Sequence, residues 1–70
     1  MRLSPVDQKI LKILRESKEP LSTYEIGKKT EMTWSTANSH CYKLKSMRLI
    51  DGKTEKSKFG LGEKIVWWIK

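Results

Sequence analysis

Two helix-start signals stand eleven residues apart near the middle of this chain, and that spacing limits what can be built around them. Ser22-Thr23-Tyr24-Glu25 has the form of a capping box, in which the Ser hydroxyl and the carboxylate three residues on satisfy each other's free backbone donors. Thr33 can cap a second helix. The interval holds only a short helix, over about 22–29, and a turn at Thr30-Glu31-Met32. The helix that follows spans Trp34 to Met47. Its apolar side is Ala37, Cys41 and Leu44, with His40 and Met47 flanking.

Upstream, Val6, Ile10, Ile13 and Leu14 recur at helical spacing, with Ser4 as N-cap, Pro5 at the first helical position and Asp7 at the third. These features predict a helix over 5–17. Pro20 disfavours helical backbone at Glu19, and Leu21 adds a short strand-like contact. From Leu49 the periodicity changes to that of strands, predicted over 49–56 and 63–69, the second dense in β-branched and aromatic residues. Ile65, Trp67 and Ile69 fall on one face and Val66 and Trp68 on the other, leaving at least one Trp incompletely buried. The expected fold class is α+β, with three helices followed by a two-stranded antiparallel hairpin in one domain over 1–70. A chain of this size buries only about 60% of the surface its unfolded form exposes, which disfavours an enclosed substrate cleft.

The formal charge is +7, divided as +2 over residues 1–31 and +5 over 32–70, so the second half carries the electrostatic footprint. A pI near 9.8 suits a nucleic-acid partner. Cys41 is the only cysteine, which excludes an intramolecular disulfide and fits a reducing compartment. Charges thread the apolar residues of the N-terminal stretch, and no apolar run approaches the roughly 20 residues that span a bilayer. A cytoplasmic, nucleoid-associated protein is expected. His40 and Cys41 diverge by about 100° on a helix and lack further ligands for zinc, so they read as a satisfied core pair. Asp7, Glu25 and His40 are explained by caps and core, and Gly60-x-Gly62 is a turn signal. No catalytic set, metal or cofactor is expected.

The segment PLSTYEIGKKTEMTWSTANSHCYKLKSMRLI, followed by hairpin-like strands, resembles the winged helix-turn-helix family of transcriptional regulators of the compact archaeal and bacterial kind. Gly27 stands where that family has Ala or Gly, because two helices approach closely there. Glu31 stands where many members have Gly, which implies a different turn geometry or strain. The resemblance implies double-stranded DNA as partner, with the third helix in the major groove. On that helix Trp34, Ser35, Thr36, Asn38, Ser39, Tyr42, Lys43, Lys45 and Ser46 are the expected contacts. Asn38 is suited to an adenine edge, and Tyr42 with the lysines to phosphates. Ser22 and Thr23, with Lys53, Thr54, Lys56, Ser57 and Lys58 of the wing, correspond to backbone contacts. No Arg lies on the helix face, so base specificity is expected to be modest or to come partly from DNA shape.

Trp34 either packs on the first two helices or lies along the DNA backbone. Trp67 and Trp68 read first as filling a small core, since aromatics supply much burial per residue; alternatively the Trp67-Trp68 strand, or the first helix, offers a surface for a homodimer. A second use of the same fold, docking to proteins of replication or transcription machinery through a Trp-rich edge, is the alternative function. Lys- and Glu-rich composition leans toward a thermophile or its plasmids and viruses as source.

Overall fold

The computed structural model describes residues 3–56 and 62–70. Helix α1 (Pro5–Glu16) begins with a reciprocal cap: the Asp7 N–H donates to Ser4 Oγ at 3.1 Å and the Ser4 N–H donates to Asp7 Oδ2 at 3.0 Å. It ends one residue earlier than expected, because Ser17 is already extended, with ψ 135°. Strand β1 (Leu21–Ser22) follows, then α2 (Thr23–Thr30), α3 (Trp34–Ser46), β2 (Ile50–Lys56) and β3 (Glu63–Ile69). Helix α2 starts at Thr23 because Ser22 is its extended cap, with the Glu25 N–H donating to Ser22 Oγ and the Ser22 N–H to the Glu25 carboxylate.

The sheet has three strands in the order β1-β3-β2, all antiparallel, in place of the expected two-stranded hairpin. Pro20 holds the chain extended, and Leu21, only 7% exposed, is drawn into the core, so Leu21 and Ser22 pair with Trp67 and Val66. Beside β3's other edge, β2 pairs in register from Ile50↔Ile69 to Lys56↔Glu63.

The core joins every layer: Ile10 and Leu14 of α1, Ile26 of α2, Ala37, Cys41 and Leu44 of α3, and Ile50 and Trp67 of the sheet. Trp67 is fully buried. At about 25 cal/mol per Å² over the roughly 150–250 Å² an aromatic side chain hides, its burial contributes up to about 4–6 kcal/mol. Room for the ring comes from its cross-strand partner Gly52, where a Cβ would stand 2.5 Å from the indole. Gly27 performs a similar service at the α2–α3 crossing, since a Cβ there would meet the Met32 carbonyl oxygen at 3.0 Å.

Both exits from the helical pair use left-handed residues that are not glycine. Glu31 has φ 57°, with its N–H directed to the Lys28 carbonyl and the Met32 N–H to that of Gly27. Arg48 has φ 63°, and the Leu49 N–H reaches back to the Leu44 carbonyl. These six-to-one bonds close each helix in a Schellman turn. Of the two alternatives for Glu31, the structure takes the strained one.

Candidate nucleic-acid interface

Thr33 caps α3 through its Oγ1, which accepts from the Thr36 N–H at 3.3 Å. With Ala37, Cys41 and Leu44 buried, the opposite side of the helix exposes Trp34, Ser35, Thr36, Ser39, Tyr42, Lys45 and Ser46. Small hydroxyl side chains line the centre of this face, which lets a helix approach another surface closely. Asn38 and Lys43, both half-buried, form its two borders, one toward the sheet and one toward α1.

The sheet-side border is held by polar contacts. The Trp67 Nε1–H donates to Thr23 Oγ1 at 2.8 Å, and the Thr23 hydroxyl donates to Asn38 Oδ1 at 3.4 Å. Tyr42 meets the Trp67 ring edge-on, with centroids 5.2 Å apart. This arrangement corrects the role expected of Ser22 and Thr23. Thr23 is 1% exposed and its hydroxyl is engaged on both sides, while Ser22 is 5% exposed and its hydroxyl serves the cap. Their side chains belong to the fold rather than to an outward contact surface.

The α1-side border is held by charge. Fully buried Asp7 accepts from His40 Nδ1 through Oδ1 at 2.7 Å and from Lys43 Nζ through Oδ2 at 2.7 Å. Burial alone would raise the Asp7 pKa. The Lys43 ammonium, then His40 and the Ser4 donors, overcome that and hold the carboxyl well below the usual carboxylate range. Lys43 is therefore tied into the domain by a carboxylate whose position in the sequence suggests only a cap. A further signal exists there: Asp7 lies on the same side of α1 as Leu11 and Leu14, facing inward. Cys41 beside this cluster is fully buried, and burial pushes its thiol pKa up to about 12, which suits a packing role.

In the wing, Lys53, Thr54 and Lys56 are exposed. Lys53 Nζ lies 3.5 Å from Glu55 Oε1, and the register sets Glu55 against Lys64 and Lys56 against Glu63. The two strands together hold three basic and three acidic residues, so they carry no net charge. The excess over residues 32–70 resides instead in Lys43, Lys45, Arg48, Lys58 and Lys70. Ser57 and Lys58, expected in the wing, lie outside the described residues, as does the Phe59–Leu61 part of the turn.

The aromatic side chains divide between core and surface. Trp67 is inaccessible and is removed from any surface for a homodimer or a docking partner; Trp68 is half-buried. Among the described residues the most exposed aromatics are Tyr24 at 67% and Trp34 at 53%, which share a groove of about 300 Å³ with Gly27, Lys28 and Met32. Trp34 thus faces α2 across this groove while keeping half its surface open. Tyr24 is absent from the contacts expected from sequence, although its helical position opposite Ile26 and Thr30 marks it as outward. Among the described residues, no three His, Cys, Asp or Glu side chains stand together to hold a metal. None of the described helices is long and apolar enough to cross a membrane.

No family model matches the chain, and no curated protein does. Among solved structures, it is similar to a "possible transcriptional regulator" from Methanosarcina mazei Go1, with a TM-score of 0.82 and 19% sequence identity. The match covers 97% of this chain and spans 57% of that one. Three helices in this order, closed by a three-stranded antiparallel sheet whose last two strands form the wing, give this chain the winged-helix fold.

Proposed function

We propose that this protein binds double-stranded DNA and acts in transcriptional regulation, without catalysis, placing α3 in the major groove and the wing along the backbone or minor groove. The observation that carries the reading is the outward face of α3. It is polar and hydroxyl-rich, free of acidic residues, and fixed against the core at both borders by Thr23–Asn38 and Asp7–Lys43. Such a helix can enter a groove lined by phosphates with little further ordering of its own. The solved structure of similar fold, named a possible transcriptional regulator, supports the same reading. A cytoplasmic, nucleoid-associated location follows from it.

Anisotropy titration of a random duplex library at two salt concentrations, with sequencing of the bound fraction, tests the proposal. Salt-sensitive binding with an enriched motif is expected. Absence of duplex binding at low salt refutes it. That outcome would favour a second reading, a protein-docking module, for which the exposed Tyr24–Trp34 pair supplies the aromatic contact that buried Trp67 cannot.

A further inference from the structure

The direction of the hydrogen bonds at the sheet-side border of α3 determines which end of the Asn38 amide reaches outward. An indole nitrogen is a donor only. Trp67 is fully buried and its Nε1–H is satisfied by Thr23 Oγ1 at 2.8 Å, so that oxygen acts as acceptor. The Thr23 hydroxyl keeps a proton and a second lone pair, and in the structure it uses the proton, donating to Asn38 Oδ1 at 3.4 Å. Thr23 is itself 1% exposed, so the Asn38 carbonyl oxygen is turned toward the interior. What remains for the outer face is the NH2 group, with two donors and no acceptor.

We propose that Thr23 is a positioning residue that orients the Asn38 amide to read a purine by its acceptors, selecting guanine in place of the adenine that the residue type alone suggests. Reading adenine in the major groove requires one donor and one acceptor side by side, to match its N7 and N6–H₂. Guanine presents two acceptors there, N7 and O6, which suit an outward NH2 group. The orientation is set from below by a chain of three side chains on β3, α2 and α3, none of which needs to touch DNA except the last. This inference rests on the DNA-binding reading and adds a base preference to it.

The experiment is a duplex selection with sequencing on the wild type and on Asn38→Ala, Thr23→Ser, Thr23→Val and Asn38→Asp. In wild type, one position of the enriched motif should be guanine and should lose its preference in Asn38→Ala. Thr23→Ser keeps the hydroxyl and should keep guanine. Thr23→Val removes the donor to Asn38 and should lower discrimination at that position about tenfold, toward adenine, while other positions are unchanged. If Thr23→Val fails to fold, the wild-type base decides, because an amide not oriented by Thr23 would present donor and acceptor together and favour adenine. Asn38→Asp checks only that position 38 is the reader. Its outward group accepts, so the preference should move from guanine to cytosine, whose N4 amino group donates. Adenine, another base or no preference at the Asn38-dependent position of wild type overturns the inference while leaving DNA binding intact. No binding by any variant at low salt overturns the functional reading beneath it.

Discussion

Glu31 and Arg48 are exposed and occupy left-handed backbone, at φ 57° and 63°. A side chain in that region costs roughly 1 kcal/mol relative to glycine, which has no Cβ to crowd the following carbonyl. Glu31→Gly is therefore expected to stabilise the domain by about 0.5–1 kcal/mol, read as a rise of several degrees in Tm by calorimetry. A fall in Tm would show that the Glu31 side chain contributes more than the strain removes. Asp7 makes the opposite prediction. Its folded pKa lies below the ordinary value of 3.8, so the stability it confers is present above about pH 4 and declines as pH falls below that. Asp7→Asn should cost about 1.5–3 kcal/mol at neutral pH, the range for hydrogen bonds to a charged group. It should also flatten the decline of stability between about pH 4 and pH 2 in urea titrations. Cys41, fully buried with its pKa pushed up to about 12, should react with a thiol reagent only as fast as the domain opens.

At the scale of elements, β2 and β3 depend on one small residue. A Cβ at position 52 would stand 2.5 Å from the Trp67 ring, whose displacement would disturb the whole core face of the sheet. Gly52→Ala should destabilise by about 1–3 kcal/mol, the cost of overpacking, whereas strand propensity alone predicts a gain. Chemical denaturation distinguishes these signs. The helices and the wing should also differ in their share of the electrostatics. Lys45 and Arg48 are exposed and make no ion pair among the described residues, while Lys53 lies beside Glu55 and Lys56 opposite Glu63. Replacing Lys45 or Arg48 by Ala should lower the slope of log K against log salt by about 0.9 for each phosphate no longer neutralised. Lys53→Ala should move it less, because Glu55 already compensates that charge. An equal change from both kinds of variant would place the wing strands on the DNA as fully as α3.

On the scale of the whole molecule, α3 is set between two anchors that come from distant parts of the chain. Asp7 reaches it from the first turn of α1, and Thr23 with Trp67 from α2 and β3. Loosening one anchor should therefore change how α3 meets its partner without unfolding the domain.

The local elements were legible in the chain because their signals act over a few residues. Ser4 with Pro5 and Asp7, Ser22 with Glu25, and Thr33 place three helix starts through bonds spanning three positions, and the periodicity of Ala37, Cys41 and Leu44 places the buried side of α3. What depends on contact between distant segments could not be read that way. Leu21 reads as a short strand-like contact, but its partner, β3, shows only when the two segments lie side by side. Thr23 resembles an outward helix-start residue until the Trp67 indole needs an acceptor. Asp7 reads as a cap on the inward side of α1, but its partners His40 and Lys43 arrive only with α3. Nothing in the sequence sets Gly52 apart until a Trp ring covers it. Backbone satisfaction and helical spacing depend on neighbouring residues, so the linear order of side chains suffices to specify them. The pairing of buried donors, charges and ring volumes depends on segments that meet only when the chain packs, and so it took shape in the folded molecule alone.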